Sequence, residues 1–196
     1  MASPAKLNLK IYQGSTFNEV LRWESSKKIY KSITGISNAA PCVITCANHG
    51  VPTGWRIKVT NVAGMTDINS TETYHTATKL TTSSIELNAV NSLGYKTYTS
   101  GGVIEYNEPI NLTGYTARMQ LRTKIDDATT LDEYTTENGK IVINTTDSTI
   151  SFLVSATTTA AYTFNSAVYS LELISSGGVV TPFATGTITL VKEVTR

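Results

Sequence analysis

The sequence predicts an all-β protein, an immunoglobulin-like β-sandwich interrupted by an inserted small β-barrel. Three observations predict it. Threonine is the most frequent residue of the 196, with ten tyrosines beside it, and β-branched and aromatic side chains suit a pleated, half-buried surface better than a helix. Many short stretches alternate apolar and polar residues with the period of two expected of a strand with one buried face. That pattern breaks after Ile33, where a Gly- and Thr-punctuated block begins, and it resumes after Tyr106. Insertions succeed where they disturb only an exposed turn. The expected division is therefore a discontinuous sandwich, residues 1–33 with 107–196, around an insert over 34–106.

In chain order, Leu7, Leu9 and Ile11 alternate with Lys6, Asn8, Lys10 and Tyr12, which predicts a first strand. Gln13-Gly14-Ser15 turns into a second strand with Phe17, Leu21 and Trp23 inward, and the pair is expected to form an opening hairpin. After the insert, Tyr115, Ala117, Met119 and Leu121 face one way, while Thr116, Arg118, Gln120 and Arg122 face the other. The second face carries the candidate interface residues Arg118, Gln120 and Arg122, which are either solvated or set against an acidic partner. Further strands are expected around Ile141 and Ile143, around Ile150, Phe152 and Val154, around Tyr169, Leu171 and Leu173, and over 187–194, with a turn at Ser175-Ser176-Gly177-Gly178. One helical turn is expected over 155–161, with Ser155 as its N-cap, crossing between the sheets.

Within the insert, Ile36, Val43, Ile44, Ile57, Val59, Val62, Ile85, Leu87 and Val103 mark short strands. A chain of this length removes its sheet edges by closing into a barrel. Cys42 and Cys46 are four residues apart; on a strand that is ~13 Å, beyond the ~7 Å reach of a disulfide, so both are expected as reduced core thiols on one face.

Charge and motif content exclude several functions. The net charge is +1, and the insert balances Arg56, Lys58, Lys79 and Lys96 against Asp67, Glu72, Glu86 and Glu105, so neither part has the basic excess of a nucleic-acid binder. No stretch approaches the ~20 apolar residues of a membrane-spanning helix, and residues 1–11 lack a signal-peptide apolar run. Synthesis in the cytoplasm is expected. His49 sits in a His-Gly turn and is expected to satisfy backbone groups; His75 is expected on a polar strand face. Neither lies in a nucleophile-activating motif. Asp126, Asp127, Asp132 and Glu133 form a dense acidic cluster without a calcium-loop pattern and are expected in a solvated loop. No catalytic site, metal site or cofactor is expected.

Two resemblances add an expectation of function. Ile33-Thr34-Gly35-Ile36, Ala47-Asn48-His49-Gly50, the run Val59-Thr60-Asn61-Val62-Ala63-Gly64-Met65-Thr66-Asp67-Ile68-Asn69 and Gly94-Tyr95-Lys96-Thr97-Tyr98-Thr99-Ser100-Gly101-Gly102 resemble a β-barrel module of phage tail proteins. That module is similar to the first catalytic cysteine half-domain of ubiquitin-activating enzymes, though no adenylation or thioester motif accompanies it here. Ile11-Tyr12-Gln13-Gly14-Ser15-Thr16-Phe17, the stretch from Ile110 to Arg122, and Tyr169-Ser170-Leu171-Glu172-Leu173 resemble immunoglobulin-like domains of phage baseplate (upper-protein N-terminal) and tail-tip collar proteins. These resemblances imply a structural virion component, a tail or baseplate subunit packed into a homo-oligomeric ring against other phage structural proteins. The alternatives are a neck- or capsid-associated fibre-anchoring or decoration protein, and a host-surface glycan binder using Trp55, Tyr74, Tyr95 and Tyr98.

Overall fold

The structure, a computed structural model, describes residues 3–70 and 72–194. Strands make up 51% of it and helix 4%. In chain order the strands are β1 (Ala5–Lys6), β2 (Leu9–Tyr12), β3 (Phe17–Arg22), β4 (Glu24–Ser32), β5 (Gly35–Ile36), β6 (Cys42–Thr45), β7 (Trp55–Ala63), β8 (His75–Lys79), β9 (Ser84–Leu87) and β10 (Ser100–Pro109). They continue as β11 (Thr116–Arg122), β12 (Asp132–Thr135), β13 (Ile141–Asn144), β14 (Thr149–Val154), β15 (Ser166–Ile174) and β16 (Val180–Val191). Among the described residues the one α-helix is α1 (Ala156–Ala160), and Thr66–Ile68 form a 3-10 turn.

The chain forms two compact units. The first comprises, of the described residues, 3–22, Asn111–Thr145 and 149–194. It is a sandwich of two sheets, one ordered β1-β16-β15-β11-β12 with β2 also on β16, the other ordered β13-β14-β3. After β3 the chain visits the sheets in pairs, β11 and β12 in the larger, β13 and β14 beside β3 in the smaller, and β15 and β16 back in the larger. The inward faces meet at aromatic contacts: Phe152 of β14 stacks on Phe17 of β3 at 5.9 Å and takes the edge of Tyr134 from β12 at 6.2 Å. As expected, α1 links the sheets, and the Ser155 side chain caps it by accepting from the Thr158 amide.

The expected opening hairpin does not form. β2 runs parallel to β16 while β3 pairs antiparallel with β14, so Gln13-Gly14-Ser15 carries the chain from one sheet to the other. Alternation shows which face of a strand is dry, but not which strand lies beside it. The parallel docking depends on Gly186. A Cβ there would stand 1.9 Å from the Leu7 carbonyl oxygen, where the Leu7 amide donates to Thr185 and the Tyr169 hydroxyl donates to Leu7. The last strand is also longer and earlier than the expected 187–194, running as β16 along β15 with a bulge at Leu171/Glu172.

The second unit comprises Trp23–Ile110 with Thr146–Ser148. β4, placed by the sequence with the sandwich, belongs here through its pairing with β10. The seven strands order β4-β10-β7-β8-β9-β6-β5 and curl into a half-barrel. The two end strands are consecutive in the chain, joined only by Ile33 and Thr34, whose amides donate to Gly102 and Thr45. The 3-10 turn is held against β7 by the Asn69 side chain, which accepts from the Val62 amide and donates to the Val62 carbonyl. Gly64 makes this corner possible: its φ is +81° and a Cβ would lie 2.3 Å from the Thr97 carbonyl oxygen.

Trp55, Ile57, Met65, Ile85 and Leu87 fill the curl. Cys42, Ile44 and Cys46 are fully buried, alternating with Val43 and Thr45; both thiols are free, and burial pushes their pKa values up. Protonated, enclosed thiols are poor nucleophiles. In the folded protein neither cysteine is therefore expected to react with a thiol-specific disulfide reagent, and both should react once denaturant opens the half-barrel. Rapid two-thiol labelling without denaturant would contradict this packing.

Candidate functional site

The outward face of the six-stranded sheet carries a groove, and its lining follows from strand register. Register places Arg122 beside Val168, Gln120 beside Ser170 and Arg118 beside Glu172, then Val168 beside Thr187 and Ser170 beside Thr185. The long side chains of Gln120 and Arg122 thus stand next to short ones on β15 and β16, while Arg118 stands next to Glu172. The result is a groove of about 690 Å³. The three sequence-predicted residues Arg118, Gln120 and Arg122 all line it, joined by Glu133 from β12.

The ionic groups that line the groove are paired with one another or with an amide. Arg118 Nε donates to Glu172 Oε2 at 2.8 Å. Arg122 Nη2 donates to Gln120 Oε1 at 2.7 Å, and Gln120 Nε2 donates to Glu133 Oε1 at 2.9 Å, so an amide bridges a cation and an anion. Arg122 also donates to the Asp127 carbonyl. Two arginines and two glutamates balance within the groove, and Lys6 and Lys10, opposite Thr185 and Thr189, lie on the same face of the sheet. The sequence alone did not identify Glu172, Ser170, Thr185 or Thr187. Their polar alternation is legible, but a shared face with Arg118 requires knowing that β11 pairs with β15 across some fifty residues.

The acidic cluster does not assemble. Asp127 sits in the loop, where hydrogen bonds from the Thr123 hydroxyl and the Thr129 amide hold its carboxyl below the usual range. Asp132 and Glu133 belong to a strand, β12, and as neighbours on it they point to opposite faces. Asp132 enters a partly buried network: its Oδ2 accepts from the Tyr162 hydroxyl at 2.5 Å, its Oδ1 pairs with Lys140 Nζ at 2.5 Å, and the Tyr162 and Tyr134 hydroxyls lie 2.9 Å apart. Burial raises the pKa of both tyrosines. Among the described residues, no three of His, Cys, Asp and Glu converge as metal ligands do.

His49 satisfies backbone groups as expected. It is fully buried, its Nδ1 accepts from the Val51 amide and its Nε2 lies 2.9 Å from the Thr81 carbonyl, so Nε2 carries the proton. His75 departs from expectation. It stands opposite Ile57 on the inward side of the half-barrel, and its Nε2 is buried without a hydrogen-bond partner. Desolvation lowers its pKa.

The aromatic residues considered for glycan stacking are engaged otherwise. Trp55 is fully buried and donates to the Asn107 carbonyl. Tyr95 and Tyr98 pack against the core of the half-barrel. The Tyr74 ring is crowded by Lys58, Arg56 and Lys28 at 4.9, 5.1 and 5.7 Å.

Two outcomes are expected. Because the folded-state pKa of His75 lies below its ordinary value of 6.5, the unfolded chain binds the proton more readily. Stability is then full above about pH 6.5 and falls as pH drops toward the folded-state pKa. His75→Phe should flatten this decline in denaturant titrations, and an unchanged slope would show that His75 is not its source. Separately, Tyr162→Phe removes a hydrogen bond to a carboxylate and should cost about 1.5–3 kcal/mol of sandwich stability, measured by the same titrations; a cost near zero would contradict the network. No family model matches this chain, and no curated protein is significantly similar to it.

Proposed function

We propose that the chain is a structural, non-catalytic subunit of a bacteriophage virion, a baseplate or tail-tip collar component of the tail. It would be made in the host cytoplasm and assembled as a homo-oligomeric ring against other virion proteins. The resemblances of both segments to phage modules support the virion assignment. The observation that carries assembly is the outer face of the three-stranded sheet. Val142 lies opposite Ser151, which lies opposite Val20, and Leu153 follows two residues later on the same face. These three aliphatic side chains are 43%, 43% and 48% exposed. Apolar side chains grouped on a sheet face are better covered than solvated, and β3 and β13 at its two ends offer strand edges to a neighbour.

In a ring each such contact recurs at every subunit, so individually weak contacts add up through symmetry. The non-catalytic part of the proposal is supported by what the titratable groups do: His49, Asp127 and Asp132 each hold local structure.

The proposal is tested by sedimentation of the full chain over a wide concentration range, together with cryo-EM of particles carrying a tagged copy. Concentration-dependent association is expected, reduced by about tenfold or more in affinity by the outward-facing pair Val142→Lys and Leu153→Lys, with density in a ring at the tail tip or baseplate. A monomer at all concentrations, with no copies in particles, would sink the proposal.

A further inference from the structure

The groove on the six-stranded sheet has the chemistry of a site for a neutral sugar. The geometry points to a binding site for a neutral saccharide of two or three units, centred on Ser170 and walled by Arg118, Gln120 and Arg122. This inference is independent of the assembly proposal, which uses the opposite sheet.

Four features support it. The groove, at about 690 Å³, falls within the roughly 300–1,000 Å³ of small-ligand sites. The ionic side chains that line it balance, two arginines against two glutamates. Donors and acceptors alternate along it: the Arg118 guanidinium beside the Glu172 carboxylate, and Arg122, Gln120 and Glu133 in a relay. A sugar hydroxyl both donates and accepts, so adjacent hydroxyls match alternating fixed partners better than either a pure anion or an apolar chain does. Finally, these side chains are oriented by one another before any ligand arrives, which lowers the ordering cost of binding. The Ser170, Thr185 and Thr187 hydroxyls on the floor add small partners, and Val168 supplies a patch for a sugar's C–H face.

The test uses the full chain in saturation-transfer NMR and calorimetry against lactose, maltotriose, cellotriose and chitotriose. Sialyllactose is the charged comparison, and an uncharged Gly/Ser/Thr peptide represents a protein segment as occupant. At least one neutral sugar is expected to bind at one site per chain, with affinity changing by less than about twofold between low and high salt. Ser170→Tyr fills the groove from an exposed position without altering charge, and should weaken binding by about tenfold or more. Gln120→Leu, which breaks the relay, should weaken it likewise, and serves alone if Ser170→Tyr fails to fold. The proposal is overturned if none of the four sugars binds, if only sialyllactose or only the peptide binds, or if binding ignores the variant that folds.

Discussion

The register of β11 is the constraint on which the sandwich depends. Between β12 and β15 it places Ala117, Met119 and Leu121 in the core and Arg118, Gln120 and Arg122 outside. A slip of one residue would exchange the two sets, burying two guanidinium groups and exposing the apolar row, a change no nearby group could compensate. The same register sets Arg118 against Glu172 and Gln120 against Glu133, so the polar order of the groove and the dryness of the core have one cause. Inside, Tyr134 extends the constraint from β12 to the opposite sheet through Phe152 and to the end of α1 through Tyr162.

Much of this architecture could be read from residue patterns, and what could not has a common explanation. The dry and polar sides of β11, the Ser155 cap and the buried cysteines all follow from local periodicity or local chemistry, which a single sequence displays. The partner of β2 does not. It is a strand almost the whole chain away, and an alternating stretch such as Leu9 to Tyr12 looks the same beside β3 or beside β16. β12 escaped notice because Asp132 and Glu133 read as a charged loop, while the residue that makes the strand, Tyr134, is a single buried ring. Of the groove, only the β11 wall was legible; its floor needed β15 and β16 laid alongside.

The second unit follows a different logic. Its end strands, β4 and β5, are neighbours in the chain, so a single continuous stretch through Ile33 and Thr34 holds both ends of the sheet. Two small concessions to backbone geometry, at Gly64 and at the Asn69 amide that mimics a strand partner for Val62, let the corner turn tightly. His75 is the discordant element, a polar ring set on the inward face beside Ile57 with one nitrogen unsatisfied. Burial of this kind costs free energy that the surrounding apolar packing must offset.

The pairing of β1 and β2 with β16 also orders events in time. During synthesis the opening strands leave the ribosome long before their partner exists, and Leu9 and Ile11 must wait for Ile188 and Leu190. The half-barrel's main segment, Trp23–Ile110, emerges as one uninterrupted stretch and so can acquire its structure while the sandwich is still incomplete. In the interval the unpaired amino-terminal strands are exposed to other nascent chains, and the missing side chain at Gly186 is what lets them dock closely when the last strand arrives.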